Sequence, residues 1–412
     1  MINDSNTMES RHYLFLWFGA AVSVAEILAG GLIAPLGFST GVTAILLGHL
    51  IGTTLLVLGG VIGSRERTSA IESTRLSFGV YGSGMFSVLN VLQLIGWTAI
   101  MIISAAKSAN QITKMLWQID NYAAWSIGIG ALIFLWIFLG REGGWKKVNM
   151  AAVLLLFGLT VVMSVAIFKT PGALAQEPAG GMSFSEAVEL SVVMPLSWLP
   201  LISDYTRYAK TSKGAAWGSW LGYFVGSSWM YIIGLAVAIT AGDPDPSSVL
   251  LAANLGIAAL GIIVLATVTT TFMDAYSAGV SFSNLFSGLN EKHVALIMTV
   301  IGTVLALLFD MEQYEDFLLV IGSVFAPLFA VLLTDYYILK NRCIRPELMI
   351  NGGAIAVWAI GVALYYQFLD LQLAVGTTIP VIAITGLLYL CVSKYTEKWT
   401  YCKKVRPVYR DI

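Results

Sequence analysis

The sequence predicts an all-α polytopic membrane protein with twelve transmembrane helices. Two observations carry this. Of 412 residues, 57% are hydrophobic and 11% are charged, whereas a soluble protein carries about 25% charged residues. So few charges cannot cover a soluble globule of this length. The apolar residues also fall into runs of about 20, long enough to cross the hydrocarbon core as helices. Forty glycines and twelve tryptophans suit close helix packing and interfacial aromatic belts. A soluble enzyme and a disordered chain are excluded. A net charge of -1 with no basic stripe argues against a nucleic-acid partner.

Twelve apolar runs are read between charged or turn-rich breaks: Tyr13–Pro35, Thr43–Gly63, Gly84–Ile112, Tyr122–Gly140, Val148–Phe168, Ala187–Ile202, Gly214–Ala241, Leu255–Phe286, Ala295–Phe309, Phe317–Leu339, Asn351–Phe368 and Val375–Ser393. The third and eighth are long, so tilt or an extra turn is expected. The polar start, Met1 to Arg11, lacks the basic opening and cleavage site of a signal peptide, so the first run is expected to be retained.

Orientation follows from the positive residues. With both termini on one side, twenty of the 23 Lys and Arg residues fall on that side, and only Lys107, Lys114 and Lys169 on the other. An even number of spans with cytoplasmic termini is therefore expected. Acidic stretches such as Asp243–Pro246 and Glu312–Asp316 are placed in external loops, and Ser247–Asn254 is a candidate short external helix. Cys343 and Cys402 fall on the cytoplasmic side and Cys391 within the last span, so no disulfide framework is implied.

Four spans interrupt the hydrocarbon with polar or helix-breaking residues near mid-membrane. The first places Glu26 there, followed by Gly30-Gly31. An ionised carboxylate at that depth costs several kcal/mol unless it faces a partner or water, which points to a substrate or proton ligand. The sixth holds Pro195 and Pro200 with Ser197 and Trp198 between them. Each proline removes a backbone donor, so a continuous helix is not expected there, and freed carbonyls must line a cavity or find protein partners. The third carries Asn90, Gln93 and Trp97; Gln93 and Trp97, four apart, share a helix face that offers an amide and a flat ring. The eighth carries Thr267, Thr269, Thr270, Thr271 and Asp274, oxygens suited to a dehydrated alkali cation, although threonines also bond back to their own helix.

Other polar residues read as structural. His49 sits in a small-residue face, Gly48 to Gly52, as a packed histidine. Asp204 is expected to pair with Arg207 at the end of the sixth span, Asp335 to end the tenth, and Trp145 to anchor at an interface. No phosphate loop, HExxH, CxxC pair or Ser/His/Asp set is present in the sequence, which argues against an ATP-driven pump or a membrane hydrolase.

Breaks in spans one and six, five spans apart, are what an inverted repeat places at its centre. Transporters built this way bind substrate at the midplane, between discontinuous helices. The expected division is a cytoplasmic segment 1–12, a first repeat 13–169, a second repeat 170–340, two appended spans 341–393 and a cytoplasmic tail 394–412.

The residues also carry a family resemblance. Ala29-Gly30-Gly31, Gly96-Trp97, Ser203-Asp204-Tyr205-Thr206-Arg207-Tyr208 and the threonines before Tyr276 resemble the nucleobase–cation symporter-1 family of cytosine, hydantoin and allantoin permeases, over nearly the whole chain. Within it, Leu16-Trp17-Phe18-Gly19-Ala20-Ala21 and Asn90 to Ala99 are most similar to a hydroxymethylpyrimidine transporter branch.

The resemblance implies a leucine-transporter-type fold, with ten core helices in a 5+5 inverted repeat plus two more. It implies that Trp97 stacks on a flat heterocycle. Pro195 stands where the family has a second aromatic, so Trp198, one turn on, is the candidate substitute. Ser197 matches a family hydroxyl near the substrate and Gln93 a glutamine. Thr271 and Asp274 stand in the neighbourhood of eighth-helix asparagines. A sodium site would use the carbonyls of Gly19, Val22 and Ala266 and the hydroxyls of Thr269 and Thr270.

A carboxylate from Glu26 or Asp274 suits an amino group beside a protonated ring nitrogen. The expectation is therefore import of 4-amino-5-hydroxymethyl-2-methylpyrimidine, a thiamine precursor, across the cell inner membrane, with sodium as the coupling ion and no resident cofactor. Cytosine is the alternative substrate and the proton the alternative ion. A channel or a membrane enzyme would be another class, and no filter motif or catalytic set supports either.

Overall fold

The computed structural model describes residues 7–139, 144–169, 172, 174–175, 180–242, 256–286, 288, 290–309, 313–396 and 400–402. Each of the twelve apolar runs holds a helix among the described residues. The first is a bent pair, α1 (Ser10–Ala21) and α2 (Val24–Gly31), with 58° between its halves. The second is α3 (Phe38–Glu66). A short α4 (Ala70–Ser73) leads into the third, α5 (Arg75–Trp117). The fourth and fifth are α6 (Tyr122–Leu139) and α7 (Gly144–Phe168). The sixth is α8 (Phe184–Ser197) with α9 (Leu199–Thr206), and the seventh is α10 (Ser212–Ala241). Then come α11 (Gly256–Ser283), α12 (Glu291–Leu308), α13 (Tyr314–Leu333), α14 (Gly352–Leu369) and α15 (Thr378–Thr396). Ten spans are long and apolar enough to cross a membrane, the bent pair makes an eleventh, and α7 holds the shorter apolar stretch Met150–Val165.

Several expectations need correction. The sixth span does not unwind. Pro195 lies inside α8 and Pro200 in the first turn of α9, yet Trp198 between them keeps φ -86° and ψ -8°, so the two halves run on as one span of 23 residues. The tenth helix begins at Tyr314, not Phe317, so Glu315 and Asp316 occupy its first turn, where their charge complements the helix dipole. The third helix is longer than its apolar run, with Gly79 at φ 76° marking a kink near its start. Asp204 forms no ion pair with Arg207. Its Oδ1 accepts from the Ala70 amide at the start of α4, while Arg207 donates to the Asp204 carbonyl and the Tyr276 hydroxyl. Asp335 accepts from Tyr389 and Asn341. The Asp243–Pro246 and Ser247–Asn254 stretches and the side chains of Trp145 and Cys402 lie outside the described residues.

Glycines set how the spans approach. A Cβ on Gly234 of α10 would stand 1.8 Å from the Ile27 carbonyl of α2, and one on Gly222 2.3 Å from the Leu14 carbonyl of α1. Gly48 and Gly52 of α3 meet Ser191 and Pro195 of α8 just as closely. Spans one, two, six and seven thereby pack into one bundle. Beside it, α5 lies against α11. This pair is antiparallel: Ser83 and Ser87 accept from Asn284, and Asn90 donates to Ser281. The Lys- and Arg-rich ends are tied by two extra pairings. Met8 exchanges backbone hydrogen bonds with Tyr208 and Lys210, and Leu348–Asn351 pairs antiparallel with Thr400–Cys402.

Candidate substrate and cation site

The site is built where α5 and α11 face the break of span one and the proline stretch of span six. Asn90 and Ser281 fix the register by their 2.7 Å hydrogen bond. On antiparallel neighbours, Trp97 and Asp274 each stand seven residues further along, two turns on the same faces. They therefore sit at one depth, about 10 Å from that bond at 1.5 Å per residue. Gln93, one turn below Trp97, donates to the Ser197 carbonyl at 2.9 Å and to Asn90 Oδ1 at 3.0 Å. The third span is thus joined to the middle of the sixth.

Hydrogen-bond accounting shows what remains free. Both Gln93 donors are used, but its Oε1 is buried with no partner. Asp274 is 2% exposed, and its Oδ2 is likewise without a partner. Ser197 and Thr271 each donate to their own helix, at Met194 and Thr267. The cluster therefore presents unmet acceptors, each costly to leave buried without a donor.

The aromatic residues are arranged differently from a simple sandwich. Trp97 meets Tyr314 and Phe317 of α13 edge-on, at 6.1 and 5.5 Å. Trp198 meets Trp17 edge-on at 5.8 Å. Pro195 is turned toward Gly52 of α3. Two tyrosines tie neighbouring spans together. Tyr314 donates to the Ala25 carbonyl, and Tyr205 donates to the Met273 carbonyl, both at 3.3 Å.

Glu26 is placed elsewhere. It is 2% exposed, and both its oxygens face α10: Tyr223 donates to Oε1 at 2.9 Å, and Ser227 Oγ lies 2.6 Å from Oε2. His49 of α3 reaches the same hydroxyl, its Nε2 2.6 Å from Ser227 Oγ. Sequence reasoning read His49 as packing alone. Its placement among small residues gave no sign of a polar partner 178 positions away.

The first-span break supplies candidate cation ligands. In a continuous helix the amides of Ser23 and Glu26 would take the carbonyls of Gly19 and Val22. Here the Ser23 amide bonds to Ala21, and the Glu26 amide bonds to Ser23 Oγ. Across from it, Thr269 donates to the Ala266 carbonyl, leaving its lone pairs open, and Thr270 Oγ1 is buried with no partner. Carbonyl and hydroxyl oxygens are the donor type that a hard, oxygen-seeking cation takes. Among the described residues no group of three or more His, Cys, Asp or Glu could hold a metal, so a carboxylate-rich divalent site is not offered.

Comparison with known proteins settles the family. The model of a family described as permease for cytosine/purines, uracil, thiamine, allantoin matches residues 3–390. The chain belongs to this permease family. It is a transporter and not an enzyme. The cytosine permease of Escherichia coli (strain K12) is 26% identical over 357 residues, covering 85% of this chain and 84% of that protein. The hydantoin permease of Microbacterium maritypicum is 23% identical over 404 residues, covering 88% and 82%. Among solved structures, a nucleobase–cation-symport-1 family transporter in a closed conformation with bromovinylhydantoin bound superposes with TM-score 0.81 at 20% identity, covering 97% of this chain and 96% of that one. A sodium-coupled sialic acid symporter, in a substrate-bound outward-open state, gives 0.70 at 13%, covering 98% and 93%. These likenesses establish the leucine-transporter-type fold of this permease.

Proposed function

We propose that this permease imports an aminopyrimidine, 4-amino-5-hydroxymethyl-2-methylpyrimidine, by sodium symport across the cell inner membrane. The observation that carries the reading is the pair of buried acceptors without donors, Gln93 Oε1 and Asp274 Oδ2. An exocyclic amino group and a protonated ring nitrogen supply the missing donors, and a carboxylate makes the pair charge-assisted. Trp97 and Trp198 offer aromatic surface to the ring. A methyl at ring position 2 asks for no donor, whereas the carbonyl there in cytosine does. The hydroxyls of Ser197 and Thr271 are committed to their own helices. Cytosine is the second reading, favoured by the similarity to a cytosine permease over most of the chain.

Sodium held by the carbonyls of Gly19, Val22 and Ala266 and by Thr269 and Thr270 would join the broken first span to α11. Its binding and that of substrate then favour the same closed arrangement, and the coupling is reciprocal. Alternating access requires the Tyr314–Ala25 and Tyr205–Met273 contacts to open one at a time.

Thermal unfolding of the purified protein tests both parts. The panel is hydroxymethylpyrimidine, cytosine, uracil, hydantoin and thiamine, each in sodium and in choline. A ligand at 100 times its Kd stabilises by about 2.7 kcal/mol. The expected result is a shift with hydroxymethylpyrimidine that grows in sodium. A shift with cytosine alone transfers the substrate to the second reading, and shifts indifferent to sodium remove it as the coupling ion.

A further inference from the structure

Glu26, Ser227 and His49 form a hydrogen-bonded chain inside the bundle, apart from the Gln93–Trp97–Asp274 cluster. Its ends and gaps are fixed. His49 Nδ1 lies 2.9 Å from the Ile45 carbonyl, which can only accept, so Nδ1 carries a proton. Two gaps follow, His49 Nε2 to Ser227 Oγ and Ser227 Oγ to Glu26 Oε2, each 2.6 Å. Each needs one hydrogen, and Ser227 has only one to give. If it points to His49, the second hydrogen belongs to Glu26 as a carboxylic acid. If it points to Glu26, the second belongs to His49 as an imidazolium. Either way the chain holds one proton more than a carboxylate with a neutral histidine.

The surroundings choose between the two forms. Glu26, His49 and Ser227 are each 2% exposed or less. The titratable groups that face Glu26 are Tyr223 and Tyr231 from α10, His49 from α3 and Tyr314 from α13. The charged residues of α5, which also packs on α2, are Arg75, Lys107 and Lys114, and among the described residues no ion pair joins any of them to Glu26. A carboxylate and an imidazolium with no other charged group paired to them among the described residues are costly in such a setting, so the neutral pair is favoured: Glu26 donates to Ser227, which donates to His49. Glu189 is the contrast. Its oxygens accept from the Thr377 and Thr378 amides and from the Thr378 and Tyr365 hydroxyls, four donors that suit a carboxylate.

We propose that Glu26, Ser227 and His49 are a proton-binding site that latches the outer half of span one to spans two and seven. Loss of the proton to water leaves one hydrogen for two 2.6 Å gaps, so one gap opens as lone pair meets lone pair. The proton is thus a ligand of the closed arrangement. The inference does not depend on which pyrimidine or cation is carried.

Infrared spectroscopy of the full-length protein, without substrate, tests it. Isotope-labelled glutamate separates glutamic from aspartic acid carbonyl bands in the unaltered chain, which covers the case where a variant fails to fold. The expected result is a protonated glutamic acid band at neutral pH, absent from Glu26→Gln and lost in one step as pH rises. In His49→Phe, Ser227 is free to donate to the carboxylate, so the midpoint of that step falls by about one pH unit or more, a tenfold loss of proton affinity. Absence of the band at neutral pH, or its survival in Glu26→Gln, overturns the site. A midpoint unmoved in His49→Phe overturns the relay and leaves a carboxyl protonated by burial alone.

Discussion

Asp274 and Glu26 are both carboxylates buried at mid-span, and their neighbours assign them different tasks. Both Glu26 oxygens are occupied by residues of α10, whereas Asp274 keeps an oxygen with no partner beside α5. Asp274→Asn keeps the shape and removes the charge from the hydrogen bond to an amino group. Hydrogen bonds to charged groups contribute about 2 kcal/mol, so calorimetry should show the aminopyrimidine binding roughly thirtyfold more weakly. The protein's melting point without substrate should change little, because the substitution keeps the size and shape of the buried side chain. The sequence placed both carboxylates at membrane depth, because a charged residue in an apolar run is conspicuous. It did not distinguish them, since the hydroxyls that occupy Glu26 lie 197 and 201 residues away.

At the level of elements, bending and close approach decide what the spans can do. The first span breaks because Ser23 caps α2 with its side chain and frees the carbonyls behind it. The sixth span, with two prolines, was the stronger sequence case for a break, yet it stays nearly helical. Its neighbours meet the needs of the interruption: Gln93 donates to the Ser197 carbonyl, and the Leu201 amide turns back to Trp198. The crossing of α2 and α10 depends on Gly234, whose Cβ would fall 1.8 Å from the Ile27 carbonyl. Gly234→Ala forces the two helices apart and should lower stability by about 3 kcal/mol, read as a fall in Tm. It should also pull Ser227 from Glu26, one residue from Ile27.

For the whole molecule, the asymmetry of Lys and Arg, twenty against three, sets the expected orientation. Cys343 is a free, exposed thiol beside Arg342 and Arg345. A membrane-impermeant maleimide should label it in inside-out vesicles and spare it in intact cells; labelling in intact cells would reverse the topology. The contacts of Tyr314 with Ala25 and of Tyr205 with Met273 join α13 to α2 and α9 to α11, and no single span reveals them.

The sequence by itself determined the class and the apolar stretches that become its helices. Those properties follow from the local cost of placing charge or unsatisfied backbone in hydrocarbon, which run length and composition record. Only the tertiary structure decided which buried groups are paired and which are left open. The Asp204 side chain accepts from the start of α4 while Arg207 takes its carbonyl, and His49 joins Glu26 through Ser227. Such partners are chosen by packing between distant spans, and a hydrogen bond exists only where that packing brings donor and acceptor within about 3 Å.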